Sequence, residues 1–208
     1  MKENQNFEKD LADIRQMMER SSKFLSLSGW SGILAGVYAL LGVVLAYYYF
    51  DYQALDWVAI LRQTNPVAEQ LPAFLILAVG VLVLTLATAV FLSARKAGKS
   101  GGNAWNSTSK RMLFALAIPL LAGGLFMIIL LLQGLSGLLV PVSLLFYGLA
   151  ILSASNYTYA EMKYLGLIQI GLGLLGLNFV TYALLFWALG FGLVHIGYGL
   201  YLHYTYER

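Results

Sequence analysis

The chain has 208 residues, 60% of them hydrophobic and 11% charged, with a mean hydropathy of +0.73. A soluble domain carries about a quarter charged residues, so this balance excludes an ordinary soluble globular protein. There is no cysteine, which excludes disulfides, a thiolate nucleophile and cysteine-based metal sites.

Residues 1–23 form a polar, charged opening segment. It is too long and too acidic for the short basic start of a signal peptide, so the first apolar stretch is expected to be retained. Within residues 4–23, Phe7, Leu11, Ile14 and Met18 recur at helical spacing. This predicts an amphipathic helix. Over residues 1–23 five cations and five acids cancel, whereas helices that lie on a membrane surface favour a basic polar face. Docking on the bundle's own face, on a second subunit or on a soluble protein partner fits this segment better.

The stretches 24–50, 70–94, 112–160 and 164–206 contain no Asp, Glu, Lys or Arg. A bilayer core of about 30 Å takes about 20 apolar residues as helix, and a membrane β-barrel would show short alternating segments instead. The chain is therefore read as an all-α polytopic transmembrane bundle. Six spans are predicted, at about 26–49, 72–94, 112–132, 138–155, 164–178 and 182–204, making one transmembrane domain over residues 24–208. Gln133 to Gly137 supplies the turn between spans three and four. Leu177 to Thr181 breaks the long run from Tyr164 to Tyr204 in two.

Orientation follows from Lys and Arg. Lys2, Lys9, Arg15, Arg20, Lys23, Arg95, Lys96, Lys99, Lys110, Arg111, Lys163 and Arg208 fall on one side of this arrangement, and Arg62 on the other. The positive-inside rule then places both termini in the cytoplasm. It also accounts for the sequence pI of about 9.0 without a nucleic-acid partner. The outer loop holds an apolar stretch around Trp57 that suits the headgroup plane. The loop at 95–111 is rich in Gly, Ser, Asn and cations. It is read as a flexible linker whose cations lie near anionic headgroups.

Gly29-Trp30-Ser31-Gly32 is a GxSG, which resembles the serine motif of rhomboid-type intramembrane proteases. That resemblance would make Ser31 a nucleophile and His195 its base. From ~1.5 Å per residue, Ser31 lies about 10 Å and His195 roughly 13 Å inside the same boundary. The chain departs from the rhomboid pattern in two ways. The serine stands in the first span rather than the fourth core span, and span two has no HxxxN. A packing reading accounts for more residues: Ser28, Gly32, Ala35, Gly36, Ala39, Gly42 and Ala46 form one small-residue stripe, which lets helices approach closely in lipid.

His195 is the one ionisable group at mid-depth, tyrosines aside. A proton carrier, a haem ligand, a substrate contact and a structural imidazole bonded to a carbonyl or Tyr are the readings open to it, the haem disfavoured because His203, the second histidine, lies on the same helix. Gln169 lies at a similar depth in the preceding span, which predicts a Gln169–His195 contact and close packing of spans five and six through their glycines. Those glycines would also leave room for a chain-like apolar ligand such as a lipid. Tyr38 completes the set of candidate ligand-binding residues. There is no Walker A loop, HExxH, GxGD or pair of intramembrane aspartates, and no metal or cofactor is expected.

The run MMERSSKFLSLSGWSGILAGVYALLG, residues 17–42, joins a charged amphipathic helix to an LSGxSGxxAGxYALxG first span. In this it resembles small uncharacterised six-span inner-membrane proteins of the Bacteroidetes type. The resemblance implies a bacterial inner-membrane location and carries no established activity. The sequence reading is thus a non-enzymatic integral membrane protein that binds a lipid or a protein partner. The alternative is a small-molecule transporter or channel-like protein with a polar path near His195. An intramembrane serine hydrolase using Ser31 and His195 is the remote one.

Overall fold

The structure is a computed structural model that describes residues 23–49, 71–99 and 105–208. The expected amphipathic segment at 4–23, the outer loop around Trp57 and Arg62, and the centre of the basic loop lie outside the described residues. Among those described, regular structure is entirely helical. The helices are α1 (Gly29–Tyr49), α2 (Leu71–Lys99), α3 (Ser107–Leu132), α4 (Leu139–Ala154) and α5 (Met162–Asn178). A last pass follows: α6 (Ala183–Trp187), a π-helical stretch (Ala188–Val194) and α7 (His195–Tyr206). Five of these passes are long and apolar enough to cross a membrane, so the chain is a multi-pass membrane protein. The sixth, α5, has 17 residues, or about 25 Å of helix.

Successive passes are antiparallel. Gly29 and Glu207 meet at one end, where Lys96, Lys99, Lys110, Arg111, Lys163 and Arg208 also gather; this is called the basic end below. At the far end, the turn after α3 closes on Gly134, whose φ is 73°. Gly134 N–H donates to Leu131 O and Leu135 N–H to Leu130 O. This paired closure satisfies the helix's orphan carbonyls and needs a left-handed residue at its centre, which glycine adopts without a Cβ penalty. Leu135 then packs with Leu130, Leu139 and Val142.

Backbone contact holds the passes together in two pairs. A Cβ added to Gly29 would lie 2.6 Å from Gly199 O and His203 N, and one on Gly36 would lie 2.5 Å from Gly192 O. The small-residue face of α1 therefore rests on the last pass. A Cβ on Gly148 would meet Gly166 O and Ile170 N at 2.7 Å, and one on Gly173 would meet Leu145 N at 2.7 Å, so α4 and α5 touch in the same way. In lipid, where apolar side chains gain little by leaving one environment for the other, such close approach is what joins helices. The α2 helix packs on α1, with Val81 against Gly42, and α3 packs on α4, with the Phe146 ring over Gly123.

Two expectations are corrected. The glycines of spans five and six join those spans only in part: a Cβ on Gly190 would lie 2.6 Å from Gln169 Oε1 and 3.4 Å from Leu172 Cδ1, and one on Gly176 would lie 3.7 Å from the Phe186 ring. Gly166 and Gly173 serve α4, while Gly192 and Gly199 serve α1. At Gly166, Gly173, Gly190, Gly192 and Gly199, space for an apolar ligand is already filled by neighbouring protein atoms. The basic loop is also shorter than its composition predicts. Helix α2 continues to Lys99 because Ala97 is buried and Lys96 is tied into the bundle. Helix α3 starts at Ser107 under a reciprocal cap: Asn106 Oδ1 accepts from Ser109 N–H, and Ser109 Oγ accepts from Asn106 N–H.

Candidate functional site

The last pass is α-helical on either side of Ala188–Val194 and π-helical within it. A π turn is wider than an α turn and displaces the carbonyls it contains. Here the Gly190 carbonyl receives two side chains. Gln169 Nε2 donates to it at 2.7 Å, and His195 Nδ1 lies 2.8 Å away. A carbonyl only accepts, so Nδ1 carries the ring proton and Nε2 is left as an acceptor. Tyr147 supplies the donor, its hydroxyl 2.7 Å from Nε2. In its neutral form the imidazole is thus held in a single tautomer, bonded at both nitrogens.

The expected pair is brought together: Gln169 Nε2 and His195 Nδ1 are 3.4 Å apart. Gln169 is 0% and His195 6% exposed. Phe191 stacks on His195 with ring centroids 5.9 Å apart, and Trp187 covers Phe191 at 5.5 Å. Placing an amide and an imidazole among such groups costs several kcal/mol unless their hydrogen bonds are replaced. The three polar contacts make that replacement, save at one atom: Gln169 Oε1 is buried without a protein partner. It lies against Gly190, where an added Cβ would come within 2.6 Å of it and within 2.5 Å of Leu144 Cδ2.

Ser31 and Tyr38 do not join this group. The Ser31 hydroxyl donates to Ser28 O at 2.6 Å, and His195 Nε2 is occupied by Tyr147. The depths do match, since Gly32 faces the backbone of His195 and Gly199. Yet the imidazole points away from α1, towards α4 and α5, so no Ser31–His195 hydrogen bond forms. Tyr38 is half-buried and two residues from Gly36, hence about 200° round α1 from the face that meets the last pass.

A second polar cluster stands at the basic end. Glu207 Oε1 accepts from Gly29 N–H at 2.9 Å and from Lys96 Nζ at 3.0 Å; Oε2 lies 2.9 Å from His203 Nδ1. Lys96 also donates to Leu27 O at 2.7 Å. Tyr159 donates to Leu25 O, Thr158 to Phe24 O, and Phe24 N–H to Tyr157 O. Residues 24–27 are therefore stitched to α2 and to the α4–α5 turn, and Gly29 at the start of α1 to the C-terminus. Glu207 caps the start of α1, which has no acidic residue in its own first turn. Burial disfavours the Glu207 carboxylate, but His203, the Gly29 N–H and Lys96 together outweigh it and lower its pKa to about 2.

Among the described residues, no group of three or more His, Asp or Glu is placed to hold a metal ion. Comparison with protein-family models, with curated proteins and with solved structures returns no match.

Sequence reasoning missed Tyr147, the Gly190 carbonyl, Lys96 and Glu207. Tyr147 carried a readable signal, as the one tyrosine in the middle of an otherwise apolar span. The carbonyl carried none, because backbone chemistry is the same at every residue and only the π turn exposes it.

Proposed function

We propose that the chain is a non-enzymatic, six-span protein of a bacterial inner membrane, with both termini cytoplasmic. Residues 4–23 serve to engage a protein partner, a second copy of the chain included. The observation that carries this reading is the clamp on residues 24–27. Bonds with Lys96, Tyr159, Thr158 and Tyr157 fix the stretch that leads out of the amphipathic segment. A tether of no consequence would not need anchoring to two separate elements. The even number of passes is supported by the Gly29–Glu207 bond, which joins the two ends of the bundle at one face. Twelve of the thirteen Lys and Arg then lie on the cytoplasmic side. Membrane lipids cover the outward apolar faces of α2 and α3.

The test is photo-crosslinking in intact cells, with the reactive amino acid at Leu11 or Ile14 of the full-length chain. The expected product is a discrete adduct with another protein chain. Adducts confined to the chain's own bundle or to lipid would overturn the reading.

A further inference from the structure

Three buried side-chain polar atoms lack a hydrogen-bond partner among the described residues: Gln169 Oε1, Tyr198 Oη and Glu161 Oε2. They are not scattered. His195, Tyr198, Leu202 and Tyr206 follow one another at spacings of three, four and four along α7, hence on one face. Gln169 stands at the inner end of that face, beside His195. At its basic end the Tyr206 hydroxyl donates to Glu161 Oε1 at 2.9 Å. Between them stands Tyr198, one turn from His195 on the same face, with its hydroxyl buried, and His195 carries the Tyr147 hydroxyl on Nε2. The result is a polar column about 16 Å long, from 11 residues of helix rise. Leu202 is the apolar member of the α7 face within it.

Buried polar atoms in native proteins are almost always satisfied, by protein or by bound water. A phenol that can donate and a carboxylate oxygen that can accept, both unpaired and in one column, suit water between them. The column ends blind. Beyond His195, Leu144 Cδ2 and Gln169 Oε1 fill the space beside Gly190, Leu144 is fully buried, and Phe191 and Trp187 close the remaining side.

We propose that the column from Glu161 past Tyr198 to Tyr147 is a water-holding half-path that carries protons between the basic end of the bundle and His195. Glu161 collects protons at the mouth, and water bound by Glu161 Oε2 and Tyr198 Oη passes them inward. At the inner end the Tyr147 hydroxyl accepts a proton from water as it gives its own to His195 Nε2. Tyr147 ends neutral, and His195 ends as an imidazolium whose Nδ1–H bond to Gly190 is retained. The far side has no matching column among the described residues, so exchange is one-sided. This goes beyond the partner-binding reading and does not depend on it.

The chain's lack of cysteine makes the test direct. Tyr198→Cys and Leu200→Cys are each placed in the full-length protein in membrane vesicles of both orientations. A charged, membrane-impermeant methanethiosulfonate is then added. Water-exposed thiols ionise and react, while thiols facing acyl chains do not, so Cys at 198 should react about tenfold faster or more than Cys at 200. It should do so only from the side on which a tag after Arg208 is exposed. Equal rates, or reaction from the opposite side, would overturn the proposal. A second measurement needs no variant. With histidine labelled by nitrogen-15, solid-state NMR reports transfer of water magnetisation to His195, with His203 at the basic end as the internal reference. His195 should be wetted on a similar timescale to His203, and Tyr198→Phe should slow it severalfold. A His195 that stays dry in the native chain overturns the proposal whatever the cysteine result.

Discussion

His195 is where burial, chemistry and backbone geometry meet. Both ring nitrogens are bonded to protein, to Gly190 O and to the Tyr147 hydroxyl. Removing the ring leaves a buried hydroxyl without its acceptor, so His195→Ala is expected to destabilise the protein by about 1–3 kcal/mol. His195→Gln, which can still donate and accept, should recover more than half of that. Thermal unfolding in detergent checks both; equal melting of the Ala and Gln variants would mean that hydrogen bonding at this position does not matter. Glu207 gives a pH prediction with a definite sign. Its folded pKa, about 2, lies below the ordinary value of 4.5. The stability it contributes is therefore complete above pH 4.5 and lost as pH falls towards 2. Acid titration of the melting temperature should show this loss, and Glu207→Gln should remove it while costing about 2 kcal/mol at neutral pH. The Gln169–His195 contact was readable from matched depths in adjoining spans. The Glu207–Lys96 pair was not, because 111 residues separate the two and only the folded bundle brings them to 3.0 Å.

At the scale of elements, the two glycine-lined helix pairs set the architecture. Gly32→Leu with Gly36→Leu places large side chains where a Cβ would already lie 3.0 Å from Gly199 Cα and 2.5 Å from Gly192 O. Backbone cannot retreat without parting α1 from the last pass, so the double variant should lose several kcal/mol or fail to accumulate. Gly197→Leu is the matched control: it lies on the same last pass as Gly192 and Gly199, but a Cβ there meets nothing within 4 Å. It should melt within about 0.5 kcal/mol of the parent. If both variants behave alike, the contact between α1 and the last pass is not what holds the bundle. The stripe on α1 was legible, since small residues at spacings of three and four need no knowledge of the partner. Its partner was not: adjacency in sequence suggested that spans five and six share their glycines, whereas the fold leaves Gly176 and Gly190 between those spans and turns Gly166 and Gly173 to α4 and Gly192 and Gly199 to α1. The π turn was equally hidden, because Gly190 and Gly192 are compatible with an α-helix until Gln169 and His195 draw on the Gly190 carbonyl.

For the molecule as a whole, composition reveals the class and topology governs the rest. Long charge-free stretches made a multi-pass bundle readable at once. They could not show that residues 24–27 are stitched to it, because that stretch carries no regular pattern and is held by bonds from Lys96, Tyr159 and Thr158. Both functional readings need one arrangement of the ends. The partner-binding segment and the mouth of the proton half-path must open to the same compartment, which our proposal, from the positive-inside bias, takes to be the cytoplasm. Reporter fusions test that claim most directly. A reporter active only in the cytoplasm should function when inserted at Gly101 and when fused after Arg208, and one active only outside should function at Thr64. A fusion at Gly101 that reads as external would contradict the six-span arrangement and, with it, the shared cytoplasmic face on which the account rests.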